Sequence, residues 1–239
     1  MPDYYFQFKQ FSIQQDKCAM KVCTDACILG AFTANKMNGP VIKNTLDIGS
    51  GTGLLSLMLA QKINTTIDSI EINQDAAKQA AENISGSPWS ENIRVIHISL
   101  QDFTPRKKYD LIICNPPFYE NDLKSNDEIK NVAKHDTTLK LDELISFVKK
   151  YLDIEGNFFL LLPFHRTAYL DRAANDHGLF IHEKLLVKQS PTHNYFRSIT
   201  MLSKNKPETV IINELIVHDS ERQYTPMFQA LLKDYYFKL

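Results

Sequence analysis

Seven residues, Asp47-Ile48-Gly49-Ser50-Gly51-Thr52-Gly53, constrain this 239-residue chain more than any other stretch. They continue the apolar, β-branched run Thr45-Leu46-Asp47-Ile48 and lead into Leu54, Leu55, Leu57, Met58 and Leu59, a helix that is apolar nearly all round. A strand that turns through glycines into a buried helix belongs in an open α/β sheet, where ligands settle at that turn. Glycines also let the backbone approach a ligand closely. The spacing is G-x-G-x-G with an Asp two residues before the first Gly, whereas dinucleotide sites use G-x-G-x-x-G, so a pyrophosphate is the poorer match. A tight turn with no ligand is the bland alternative.

The flanking sequence predicts the same class. From 44 to 162 short β-branched runs alternate with helical stretches, the pattern of a parallel sheet covered by helices. Strands are expected at 66–72, 94–98, 109–114 and 157–162, with helices at 75–84, 141–151 and 168–177. Segments 180–187, 198–203 and 209–217 read as strands that turn antiparallel, and 226–235 as a final helix. No repeat or composition break divides the chain, so one domain over 1–239 is expected. The polar stretch 119–137 reads as a long loop, and loops of that length inside compact domains are usually functional.

Lys and Arg number 27 against 28 Asp and Glu, a formal charge of -1, which excludes a protein that grips polyanions by bulk charge. Any nucleic-acid site must then be a local patch. No apolar run approaches the roughly 18 residues that span a bilayer, and Met1-Pro2-Asp3-Tyr4-Tyr5-Phe6 lacks the order of a signal peptide, so a cytoplasmic protein is expected. Cys18, Cys23, Cys27 and Cys114 contain no C-x-x-C pair, and neither a zinc ribbon nor a disulfide framework is expected.

Three further elements follow the later strands. Glu71 ends the second strand 18 residues beyond Gly53, where a carboxylate can accept from both hydroxyls of a ribose. Asp102 follows the third, where it can meet an exocyclic amine such as that of adenine; a solvated loop acid is the alternative. Asn115-Pro116-Pro117-Phe118 after the fourth is the most specific element. Two successive prolines fix an extended bend that can hold the Asn amide oxygen and a prolyl carbonyl as paired acceptors for a planar NH2 group, with Phe118 as a stacking face.

Through Asp47-x-Gly49-x-Gly51-x-Gly53, Glu71, Asp102 and Asn115-Pro116-Pro117-Phe118 the chain resembles the Rossmann-like S-adenosylmethionine-dependent methyltransferases. Phe8-Lys9-Gln10-Phe11, the stretch from Asp16 to Val22, that from Thr24 to Phe32, and the closing Tyr224-Thr225-Pro226 and Ala230 to Tyr236 resemble the bacterial tRNA adenine-N6 methyltransferases that act on adenosine 37 of a valine tRNA. The resemblance implies a seven-stranded, mostly parallel sheet with antiparallel C-terminal strands and helices on both faces. It further implies a core over 44–239 with residues 1–43 as a lid segment for cofactor and substrate. S-adenosylmethionine and tRNA are the implied cofactor and partner. Thr24 and Asp25 would lie near the methionine end of the cofactor, a helix N-cap pair being as good a reading of those two residues alone.

Lys21, Lys130, Lys134 and Arg197 can face RNA phosphates, a solvated charge being the alternative for each; Lys21 and Arg197 are the expected RNA contacts, and His135 reads as a loop residue to which the mechanism gives no task. In that mechanism the Asn115 oxygen and the Pro116 carbonyl accept the two N–H bonds of adenine N6, freeing its lone pair. Guanine N2 in ribosomal RNA, a glutamine amide in a protein, or nucleoside binding without turnover are the competing readings. Oligomeric state is open, a monomer being the simpler expectation.

Overall fold

The computed structural model describes residues 4–18, 21–116 and 139–239. Its N-terminal hairpin pairs β1 (Tyr5–Gln7) with β2 (Ser12–Gln14), and helix α1 (Thr24–Lys36) follows. The main sheet and its helices are β3 (Asn44–Ile48), α2 (Leu54–Ala60), β4 (Thr66–Glu71), α3 (Gln74–Ser85), β5 (Ile93–His97), β6 (Tyr109–Cys114), α4 (Leu141–Tyr151), β7 (Leu152–Pro163), α5 (Thr167–Asp176), β8 (Phe180–Lys188), β9 (Tyr195–Ser203), β10 (Ile211–Ile216) and α6 (Pro226–Leu232).

The strand order is β10-β8-β9-β7-β6-β3-β4-β5, eight strands and not the seven expected. The C-terminal strands also differ from expectation in direction: β9 alone is antiparallel to its neighbours β7 and β8, while β10 runs parallel to β8. The reason is geometric. Both edges of β9 are already taken, and β9 ends at Ser203 beside Phe180, the start of β8. A chain returning from there along the free edge of β8 must run parallel to it. Ile211 and Ile212, 53% and 64% exposed, mark β10 as an edge strand.

Side chains of the central strands alternate between two cores, as the period-2 pleat requires. Leu111, Ile113, Phe159 and Leu161 pack with α1, α2 and α6 on one face, whereas Ile112, Cys114, Phe158, Leu160 and Leu162 pack with α4 and α5 on the other. Helix α1 is buried continuously from Ala26 to Ala34. At Gly30 it lies so close to α2 that a Cβ would stand 2.6 Å from the Met58 sulfur.

The two ends of the described chain meet on α2. Phe8, fully buried and stacked on Phe11, lies near Tyr236 at 5.9 Å between ring centroids. The Lys9 N–H donates to the Tyr235 carbonyl, and the Tyr235 hydroxyl donates to the Met58 carbonyl. On its other side the N-terminal segment is fastened to α3. Asn83 accepts from the Gln14 N–H at 2.8 Å and donates to the carbonyls of Gln14 and Thr52 at 3.0 and 2.9 Å, while Gln79 accepts from the Lys17 N–H.

Asn83 is 6% exposed, so removing its amide strands three backbone groups, the buried Thr52 carbonyl among them. Asn83→Ala is expected to lower stability by about 2 to 3 kcal/mol, read as a fall in the urea unfolding midpoint at unchanged slope.

Candidate active site

Because β3, β4, β5, β6 and β7 are parallel, the loops that leave their C-terminal ends open on one edge of the sheet. The glycine loop leaves β3 in the middle of that edge. Gly49, Gly51 and Gly53 all have positive φ, 71°, 54° and 81°, a backbone that other residues adopt only with strain. The N–H groups of Gly49 and Ser50 donate to the Ile70 carbonyl at 2.9 and 3.0 Å, and the Gly53 N–H to the Ser50 carbonyl at 2.8 Å. A Cβ on Gly49 or Gly51 would meet nothing within 4 Å, so open space lies beside the loop.

Glu71, at the end of β4 and 8% exposed, is the loop's anchor. One carboxylate oxygen accepts from the Gly51 N–H at 2.9 Å and the other from the Asn73 N–H at 2.8 Å. Each oxygen keeps a second lone pair for another donor.

Asp47 lies fully buried in β3. Its Oδ2 accepts from the Ser56 N–H at 3.1 Å and the Ser56 hydroxyl at 2.7 Å, while Oδ1 has no partner among the described residues. Burial pushes this carboxyl up to about 7, and the charge of Glu71 acts in the same direction. The Ser50 hydroxyl is likewise buried, with no partner among the described residues.

Asn115 and Pro116 follow β6 directly, Asn115 half-buried and Pro116 buried, in the strand position between β3 and β7. Pro117 and Phe118 lie outside the described residues, as do Lys130, Lys134, His135 and the stretch 119–137. Asp102 stands five positions beyond the last residue of β5 and is exposed, its carboxylate accepting from the Ser99 hydroxyl at 2.6 Å.

Thr24 and Asp25 open α1, but Cys23 occupies the N-cap position and makes no side-chain cap bond. Asp25 accepts instead from Arg197 of β9, Nε to Oδ2 at 2.7 Å. The two residues expected to serve cofactor and RNA separately therefore form one ion pair between α1 and β9. Lys21 is exposed and makes no ion pair among the described residues.

The family described as the methyltransferase small domain matches residues 29–162. Over its full length the chain is 41% identical to a tRNA1(Val) (adenine(37)-N6)-methyltransferase of Cytophaga hutchinsonii, covering all of both chains. It is 38% identical to the protein of the same description from Flavobacterium johnsoniae, covering 98% of this chain and all of that one. This chain belongs to the tRNA1(Val) (adenine(37)-N6)-methyltransferase family.

The fold of this methyltransferase is shared with solved structures of low identity. One, described as a predicted O-methyltransferase from Agrobacterium tumefaciens, superposes with a TM-score of 0.67 over 88% of this chain and 96% of that one, at 17% identity. The magnesium protoporphyrin IX methyltransferase of Synechocystis, solved with bound S-adenosylmethionine, gives 0.52 over 76% and 78%, also at 17%.

In this methyltransferase the polar groups around the loop suit a ligand that donates hydrogen bonds and carries positive charge. The carboxyl groups of Glu71 and Asp47 and the Ser50 hydroxyl line or underlie the loop, Asp47 Oδ1 and that hydroxyl having no partner among the described residues, beside open space at Gly49 and Gly51. A pyrophosphate would be repelled there, whereas ribose hydroxyls and an ammonium or sulfonium group fit. Among the described residues no group of three or more His, Cys, Asp or Glu could hold a metal ion.

Two supporting residues escaped sequence reasoning: Ser56, which holds Asp47, and Asn83, which holds the Thr52 carbonyl. Ser56 sits one turn into an otherwise apolar helix, and that lone hydroxyl was the available signal. For Asn83 the sequence carries none, since its partners lie 69 and 31 positions away.

Asp47 makes stability depend on pH. Unfolded, its carboxyl releases its proton near pH 3.9, but in the folded chain only near 7, so between these values the folded state binds more protons. The associated stability is complete below about pH 4 and is lost as pH rises through 7. Asp47→Asn is expected to flatten this contribution, on the order of a few kcal/mol, in urea unfolding curves compared with the native chain at pH 4.5 and 7.5.

Proposed function

We propose that this protein transfers a methyl group from S-adenosylmethionine to the exocyclic N6 of adenosine 37 in the anticodon loop of tRNA1(Val), acting in the cytoplasm. The observation that carries this reading is identity of about two residues in five, end to end, with enzymes of that one description. The acceptor-lined glycine loop supports the donor, and Asn115-Pro116 on the adjoining strand supports the amine. No helix among the described residues is long and apolar enough to cross a membrane.

S-adenosylmethionine supplies an electrophilic methyl on a sulfonium sulfur. Glu71 holds the ribose through the lone pairs left free by Gly51 and Asn73, and Asp102 faces the adenine amine of the donor. Gly49, Gly51 and Gly53 let the backbone lie against the ligand, with Asp47 beneath them and Thr24 and Asp25 toward the methionine end. The Asp25–Arg197 pair fixes the first turn of α1 against β9.

At the acceptor side, the Asn115 oxygen and the Pro116 carbonyl take the two N–H bonds of N6, and Pro117 and Phe118 of the same motif are assigned to the acceptor base. Held this way, the nitrogen lone pair leaves conjugation with the ring. The two acceptors gain strength as positive charge develops on nitrogen, which lowers the barrier. The product ammonium is acidic and gives its proton to water, so no strong base is required.

Glu71→Ala is expected to weaken S-adenosylmethionine binding about 10- to 150-fold by isothermal titration, with the fold intact by circular dichroism. Unchanged affinity would remove the ribose role. Asn115→Ala should lower turnover about 100- to 1,000-fold at nearly unchanged cofactor affinity. A wild-type rate in that variant contradicts the paired-acceptor mechanism. Nucleoside mass analysis after incubation with labelled cofactor should find N6-methyladenosine in tRNA. N2-methylguanosine in ribosomal RNA, or label in protein, would transfer the reading to another planar nitrogen.

A further inference from the structure

Beyond Asn115 the same edge of the sheet carries a concentration of rings and cations. Residues 163–169 leave the end of β7 and 188–197 join β8 to β9; together they contain Arg166, Lys188, Arg197, His165 and His193 and no Asp or Glu. The two segments are neighbours, because Pro163 pairs with Arg197.

Phe164 and Tyr169 are 37% and 39% exposed, large rings left facing outward. The Phe164 and Tyr195 centroids lie 5.1 Å apart, the Arg166 guanidinium stands 5.9 Å above the Tyr169 ring, and the Lys188 ammonium 4.5 Å from that of Tyr195. Hydrogen bonds fix two of these rings, Tyr169 to Asp142 and Tyr195 to Glu214, each at 2.6 Å. Glu214 also neutralises Lys188, and Asp25 holds Arg197. Arg166 is exposed and makes no ion pair among the described residues.

The two tyrosines are tied to the fold through their hydroxyls, whereas the exposed Phe164 ring has no polar group that would hold it at the surface. Strands lie about 4.8 Å apart, so the β7 and β9 ends stand roughly 5 and 10 Å along the edge from the strand that presents Asn115. An adenine whose N6 reaches Asn115 has left its stack, and its neighbours in the loop lose stacking partners too. Exposed rings beside the site replace what those neighbours lose, and a cation between them meets the backbone.

Resting on the function proposed above, we propose that Phe164, Arg166, Tyr169 and Tyr195 form the docking surface for the unpaired nucleotides flanking the target adenine, the rings stacking on bases and Arg166 contacting a phosphate. With a formal charge of -1 the chain has no bulk attraction for RNA, which makes a local ring-and-cation surface the means of holding the loop.

The test is fluorescence anisotropy of a labelled tRNA transcript with the full chain, wild type against Phe164→Ala and Arg166→Ala, at 50 and 200 mM salt. Titration with S-adenosylmethionine and circular dichroism run on the same samples. Phe164→Ala should raise the tRNA Kd about 5- to 150-fold with little change in its salt slope. Arg166→Ala should reduce the magnitude of the slope of log affinity against log salt by about 0.7. Cofactor affinity should stay within about twofold in both. Wild-type tRNA affinity in both variants, or equal losses of tRNA and cofactor binding, overturns the docking surface. Because the readout is binding, it stands apart from the product analysis: absence of N6-methyladenosine counts against the function, not against this surface.

Discussion

The hydrogen bond from the Gly51 N–H to Glu71 is the contact on which the arrangement of the site depends. It crosses from the turn after β3 to the end of β4, and the same carboxylate takes the Asn73 N–H at the start of the next helix. A single side chain thereby sets the positions of two consecutive strand-to-helix turns. The glycine loop cannot hold its shape by side-chain packing, since Gly49 and Gly51 have none to offer, so its backbone is held by polar contacts from outside: Ile70, Glu71 and, through Thr52, Asn83. An anchor whose acceptors are half used leaves the remainder for a ligand, and ligand and loop are then stabilised by the same group.

Electrostatics reinforce this selectivity. Asp47 lies in a region dry enough to raise its carboxyl to about 7, and it feels the charge of Glu71. Placing negative potential at a turn that in many α/β sheets receives phosphate inverts the usual preference of a helix N-terminus. The G-x-G-x-G spacing and the preceding acid, read together from the sequence, had pointed the same way, and the buried pair of carboxylates supplies the physical reason.

Much of the central sheet was legible because its signals are local. Runs at 109–114 and 141–151 coincide with a strand and a helix to the residue, and the helix expected at 75–84 differs from α3 by one residue at each end. The antiparallel reading of the last strands failed at β10 because strand direction depends on which sheet edge is vacant, a property of the assembled sheet and not of residues 209–217. The Asp25–Arg197 pair joins positions 172 apart, and each residue alone read as a ligand contact. The strand-end positions of Glu71 and Asn115 were thus legible, whereas the partners that orient side chains across the fold were not.

The meeting of Lys9, Tyr235 and Met58 has a consequence for how the chain acquires its structure. These contacts close the molecule over sequence separations of 226 and 177 residues, so they form only when both segments are present. Loop-closure entropy makes such long-range contacts late events in folding. A chain still emerging during synthesis can form β3 and the glycine turn, yet the helix that follows lacks its bond from Tyr235 until that residue is made. The stretch around Tyr235 therefore acts as a latch on the helix that follows the glycine turn, 177 positions earlier in the chain.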